Sequence, residues 1–129
     1  MTIAHAEASM TQGFKNTITV REFTLTADEP VGVGGENAGP KPTELLAAAL
    51  GACTSITMKL YAQRKGWDVR QVDVVVDVDW QAKPQTVKRA IKIDGNLDEA
   101  QRARLMQIAD ACPVHKLIAN SVEVTTSGM

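Results

Sequence analysis

Residues 42–65 read PTELLAAALGACTSITMKLYAQRK, and this stretch decides the fold. Thr43 or a neighbour supplies a cap, Glu44 suits the first turn, and a run of Leu and Ala follows. Leu46, Ala49, Leu50, Cys53, Ile56, Thr57 and Leu60 fall at three-four spacing, so they form one helical stripe with Thr57 as its single polar member. Lys59, Gln63, Arg64 and Lys65 make the opposite face and a basic end, and Gly66 stops the helix. The spacing therefore predicts a helix over residues 43–65, long for a small domain.

Working outward, residues 28–42 hold four glycines and three prolines, a density that only an irregular loop tolerates. Before it, residues 2–9 and 16–26 read as extended, with a turn at Gln12-Gly13 and a bulge near Arg21-Glu22. After the helix, residues 69–80 alternate: Val72, Val74, Val76, Val78 and Trp80 share one face, and Asp73, Asp77 and Asp79 the other, with Val75 the exception. A turn at residues 83–85 leads into a second alternating run, 87–93, which suggests an antiparallel hairpin ending at Gly95-Asn96. Asp98 caps a helix over 99–112, Pro113 opens a short helix over 113–120, and residues 121–126 close the chain as a strand. The order gives an α+β fold: a mainly antiparallel sheet packed on a long central helix.

At 129 residues the chain has the size of one domain, 1–129. Apolar residues make up 44% but aromatics only 4%, so the core must be aliphatic. Fourteen basic and fifteen acidic residues are spread without clustering, which argues against a nucleic-acid groove or an anionic-membrane surface. The N-terminus lacks the pattern of a signal peptide, and the apolar run 45–52 is far short of a membrane span, so a cytoplasmic protein is expected. Two cysteines there are expected to be reduced, and any bond between them to be transient.

Those cysteines are Cys53, mid-helix, and Cys112, next to Pro113 at the N-cap of the short helix. A thiol reacts as thiolate and needs a positive environment. The helix start offers this to Cys112, whereas Cys53 has no local help. A cysteine among Ala and Leu is more often a small apolar filler, so neither residue alone assigns an enzyme.

The stretch GGENAGPKPTELLAAALGACT, residues 34–54, with ACPVH at 111–115, resembles the two cysteine motifs of the osmotically inducible protein C (OsmC) family, which includes the organic hydroperoxide resistance proteins. The resemblance implies an OsmC-like fold in an intertwined homodimer, with two sheets wrapping central helices and the thiols at the dimer interface. It implies a thiol-dependent peroxidase acting on organic hydroperoxides: Cys53 attacks, Cys112 resolves through a transient disulfide, and a dithiol, in the family typically a lipoyl group, reduces it. It implies neither a metal nor an organic cofactor. Two positions depart from the pattern. Thr43 stands where the hydroperoxidases carry a functional glutamate, and Glu44 would lie about 180° from Cys53 at ~100° per residue. No arginine precedes Arg21 to match the activating arginine of those members. The alternative is an OsmC-like dimer that binds a small molecule or lipid, or senses redox state, without efficient turnover.

Other constellations are weaker. Cys112 and His115 could pair as nucleophile and base or begin a zinc site, but further ligands reduce to Cys53 and His5, and no third group orients the histidine. The glycine-rich residues 32–39 lack the lysine of a phosphate loop. Asp73, Asp77 and Asp79 read as a solvated sheet face.

Overall fold

The computed structural model describes residues 3–129. The chain divides into two compact units, one ending at Leu46 and one beginning at Ala47. Strands β1 (Glu7–Met10), β2 (Asn16–Val20) and β3 (Phe23–Ala27) form an antiparallel meander in the first unit. The extended run expected over 16–26 is thus two strands. Arg21 takes φ 51°, the left-handed conformation of a tight hairpin turn, so the chain reverses where a bulge was expected. The first strand is also shorter than the 2–9 expected; residue 2 lies outside the described residues.

The loop after β3 is irregular, as its composition predicts, with one 3-10 turn at Val31–Val33. Buried Asp28 organises it. Its carboxylate accepts the backbone N–H groups of Glu29 (2.7 Å), Glu36 (3.2 Å) and Ala38 (3.1 Å). These bonds, led by that from Ala38, outweigh desolvation and hold the carboxyl below its ordinary value. Gly35 fits because a Cβ there would lie 2.0 Å from the Glu29 carbonyl oxygen.

Helix α1 (Pro42–Lys65) starts one residue before its expected position and ends where expected. In the second unit β4 (Asp68–Asp79) pairs antiparallel with β5 (Thr86–Asn96), and a register shift between Val69 and Gln71 marks a bulge. Trp80 falls just beyond β4 and is exposed. Helix α2 (Glu99–Ile108) begins with a capping box in which Asp98 and Gln101 satisfy each other's backbone N–H groups. The helix expected to run to Cys112 tightens instead into a 3-10 turn, Ala109–Ala111, before α3 (Pro113–Ala119). Residues 121–126, expected as a strand, have no regular structure.

The core of this unit is Met58 and Ala62 of α1, Val69 of β4, Leu105 of α2 and Ala109, with Trp67, Ile91 and Ile93 against it. The buried residues of α1 are Leu50, Thr54, Met58 and Ala62. Of the expected stripe only Leu50 is among them, while Leu46, Ile56 and Leu60 are exposed. Thr54 can replace an aliphatic side chain because its hydroxyl donates to the Leu50 carbonyl (2.7 Å). The small residues Ala47, Gly51 and Ser55 line a groove with Val72 and Val76, and a Cβ at Gly51 would meet Val76 at ordinary van der Waals distance, 3.6 Å. By length and composition α1 could also cross a membrane, since Thr54, Ser55 and Thr57 do not interrupt its apolar run. The expectation based on 45–52 alone understated that run, yet Met58 and Ala62 are core residues of the second unit.

Candidate functional site

Cys53 and Cys112 are both free thiols, Cys53 half-buried on α1 and Cys112 fully buried before α3. Their sequence distance disappears in the fold, because Cys53 lies near enough to perturb the Cys112 thiol. Cys53 Sγ also lies 4.0 Å from Thr57 Oγ1, one turn further along the helix.

Cys112 is the N-cap of α3, as the following proline predicts. Its extended backbone (φ −63°, ψ 134°) turns the sulfur back over the first helical turn, where it accepts the His115 backbone N–H at 3.3 Å. The helix start was expected to favour its thiolate. The net effect is the reverse: burial and the neighbouring Cys53 push the Cys112 thiol up, and the backbone bonds from His115 and Val114 offset this only partly. The shift favours the protonated thiol at Cys112.

One contributor was missed by reading the sequence. Arg89 of β5 carries a side chain only 13% exposed. Its Nη1 donates to Thr54 Oγ1 (3.0 Å) and the Ala109 carbonyl (3.3 Å), and its Nη2 donates to Asp110 Oδ1 (2.7 Å). The signal was present in the alternation, since Arg89 shares a strand face with Ile91 and Ile93. A charged residue at an inward position is the informative exception.

Glu44 is committed elsewhere: its Oε1 accepts the Lys41 backbone N–H at 2.8 Å, a capping bond at the start of α1. His115 Nδ1 lies 3.8 Å from Asp110 Oδ1, so its ring faces a carboxylate. His5 is exposed, 4.0 Å from Glu7. Among the described residues no group of three or more His, Cys, Asp and Glu side chains converges.

The family model of OsmC-like proteins matches residues 34–127, which include both cysteine motifs. The chain belongs to the OsmC-like family. Solved structures of similar fold include an OsmC-like protein from Mycoplasma pneumoniae, 17% identical, with TM-score 0.77 over 91% of this chain and 87% of that one. An organic hydroperoxide resistance protein OsmC from Legionella pneumophila is 20% identical, with TM-score 0.63 over 90% and 88%. One from Elizabethkingia anophelis is 18% identical, with TM-score 0.63 over 90% and 87%. They establish the OsmC fold for this chain, an α+β structure of antiparallel sheets and a long helix. No curated protein matches it.

Proposed function

We propose that this OsmC-like protein is a cytoplasmic, homodimeric thiol peroxidase that reduces organic hydroperoxides. OsmC-like membership supports a role in oxidative or osmotic stress, and two structural relatives are named organic hydroperoxide resistance proteins. The observation that carries the reading is that Cys53 lies close enough to Cys112 to push its thiol up. A disulfide needs its two β-carbons within about 4 Å.

The chemistry is a two-electron oxidation of Cys53. Its thiolate attacks one peroxide oxygen, the O–O bond breaks, and the alkoxide leaves as alcohol after taking a proton. Cys53 is left as a sulfenic acid. The Cys112 sulfur then attacks the Cys53 sulfur; an S–S bond forms, the S–O bond breaks, and the hydroxyl leaves as water with the proton of Cys112. A dithiol, a lipoyl group in the family's manner, returns two electrons and two protons by exchange. The division of labour suits the environments: Cys53 is half-buried, while buried, protonated Cys112 waits for the sulfenic acid.

The dimer is supported by α1, which leaves Ile56 58% and Leu60 46% exposed on a face away from Met58 and Ala62. Mixing the reduced protein with cumene hydroperoxide or hydrogen peroxide, then counting thiols and mapping the bond by mass spectrometry, tests the reading. Rapid loss of both thiols into a Cys53–Cys112 bond, faster with the organic peroxide, is expected. Survival of both thiols in the folded protein would overturn it and leave the ligand-binding or redox-sensing dimer.

A further inference from the structure

Arg89 is unusual among the polar groups of the second unit. A guanidinium withdrawn from water is costly unless its donors are satisfied. Here the acceptors come from the two segments that carry the thiols. Thr54 follows Cys53 directly on α1, while Ala109 and Asp110 belong to the tight turn that delivers the chain to Cys112. We propose that Arg89 is the positioning residue of the thiol pair, holding Cys53 and Cys112 at the separation from which a disulfide closes.

The links made by Arg89 are directional hydrogen bonds. The Thr54 hydroxyl spends its only proton on the Leu50 carbonyl, so its lone pairs are left for Arg89. The planar guanidinium spans Thr54, Ala109 and Asp110 at fixed angles, which a lysine ammonium cannot do. Asp110 Oδ1 also faces His115 Nδ1, and the His115 backbone N–H donates to Cys112 Sγ. Covalent and hydrogen-bonded links thus run from Cys53 through Thr54 and Arg89 to Asp110, two residues before Cys112. Arg89 touches neither sulfur through a hydrogen bond; it acts through the segments on which they sit. In the peroxidase cycle, on whose reading this role rests, Arg89 governs closure of the bond after the sulfenic acid has formed.

The test needs no peroxide. The reduced protein is equilibrated in mixtures of reduced and oxidised glutathione, where oxidised glutathione takes two electrons from the thiols and leaves as two reduced molecules. The ratio giving half-formation of the Cys53–Cys112 bond reads how well the sulfurs are positioned. For Arg89→Met this ratio is expected to shift by roughly tenfold to a hundredfold against the disulfide, the scale of a side chain displaced by about 1 Å. Thr54→Val and Arg89→Lys should shift it in the same direction by less. The double variant R89M/T54V should be no worse than R89M, because both act on one path. Asp28→Asn, which acts on the loop of the first unit and off that path, should lower stability and leave the ratio in place.

A folded R89M whose ratio stays within about twofold of the parent would overturn the proposal, since that is the scatter of independent sites. If R89M does not fold, unchanged ratios in both T54V and R89K overturn it equally. Failure of the parent to form the bond in any glutathione mixture would also overturn it. A protein inert to peroxide whose disulfide still closes in glutathione, and weakens in R89M, would remove the peroxidase reading and leave Arg89 in its role.

Discussion

Ile56 allows the proposed homodimer to be tested with a number. Ile56→Ala deletes three carbons, worth ~0.8 kcal/mol each when fully removed from water, or ~2.4 kcal/mol together. The side chain is 58% exposed, so the share left for a partner is about 1.4 kcal/mol in each copy. A two-fold interface presents the same residue twice, which doubles the loss to about 2.8 kcal/mol, or roughly a hundredfold in dissociation constant. Leu60→Ala, starting from 46% exposure, should cost about 1.1 kcal/mol per copy by the same arithmetic. Sedimentation of a dilution series measures both constants directly. A parent protein that stays monomeric at about 100 μM, or an I56A constant within about threefold of the parent's, would refute this face as the contact.

Three further outcomes are expected. In Cys112→Ser one equivalent of cumene hydroperoxide should leave Cys53 as a sulfenic acid captured by dimedone, whereas Cys53→Ser should leave Cys112 reduced; a mass shift on Cys112 alone would reverse the assigned roles. Gly35→Ala places a Cβ 2.0 Å from the Glu29 carbonyl oxygen, so urea unfolding should report a loss of about 2–3 kcal/mol, and an unchanged midpoint would contradict the close approach. Asp28 has a folded-state value below its ordinary 3.8, so its contribution is present above that value and fades as the pH falls through the folded one. Asp28→Asn should accordingly lower the melting temperature most at neutral pH and converge with the parent in acid, and a constant difference across pH would exclude the carboxylate as the cause.

The parts legible in the sequence are those where one short-range pattern acts alone. The α1 boundaries follow from propensity and Gly66, and the β4–β5 pair from alternation that only Val75 breaks. The buried face of α1 differs from the expected one because periodicity marks the apolar stripe, whereas the face packed on the core holds Leu50, Thr54, Met58 and Ala62. Arg21 and Glu22 look like continuation because neither is a typical turn residue; only the pairing of Val20 with Phe23 reveals the reversal. Residues 121–126 alternate well, but a strand exists only where an edge receives it. Both thiols were visible as motifs, and Pro113 fixed the cap at Cys112. The sign of its shift was not visible, because burial is a property of the assembled fold. Arg89 was hidden for the same reason: its three acceptors come from segments 20 to 35 residues away.

The complete burial of Cys112 gives the proposed disulfide a direction. Thiol–disulfide exchange requires in-line approach to the sulfur under attack, with the other sulfur departing. In the proposed cycle an incoming reductant would meet the Cys53 end only, so the mixed disulfide would form on α1 with Cys112 as the group expelled. The environment that raises the Cys112 thiol makes it a slow leaving group. Once expelled, it takes up a proton readily and no longer competes as a thiolate for the sulfur it has left. The bond can be entered from one side, and the proton behind it works as a latch.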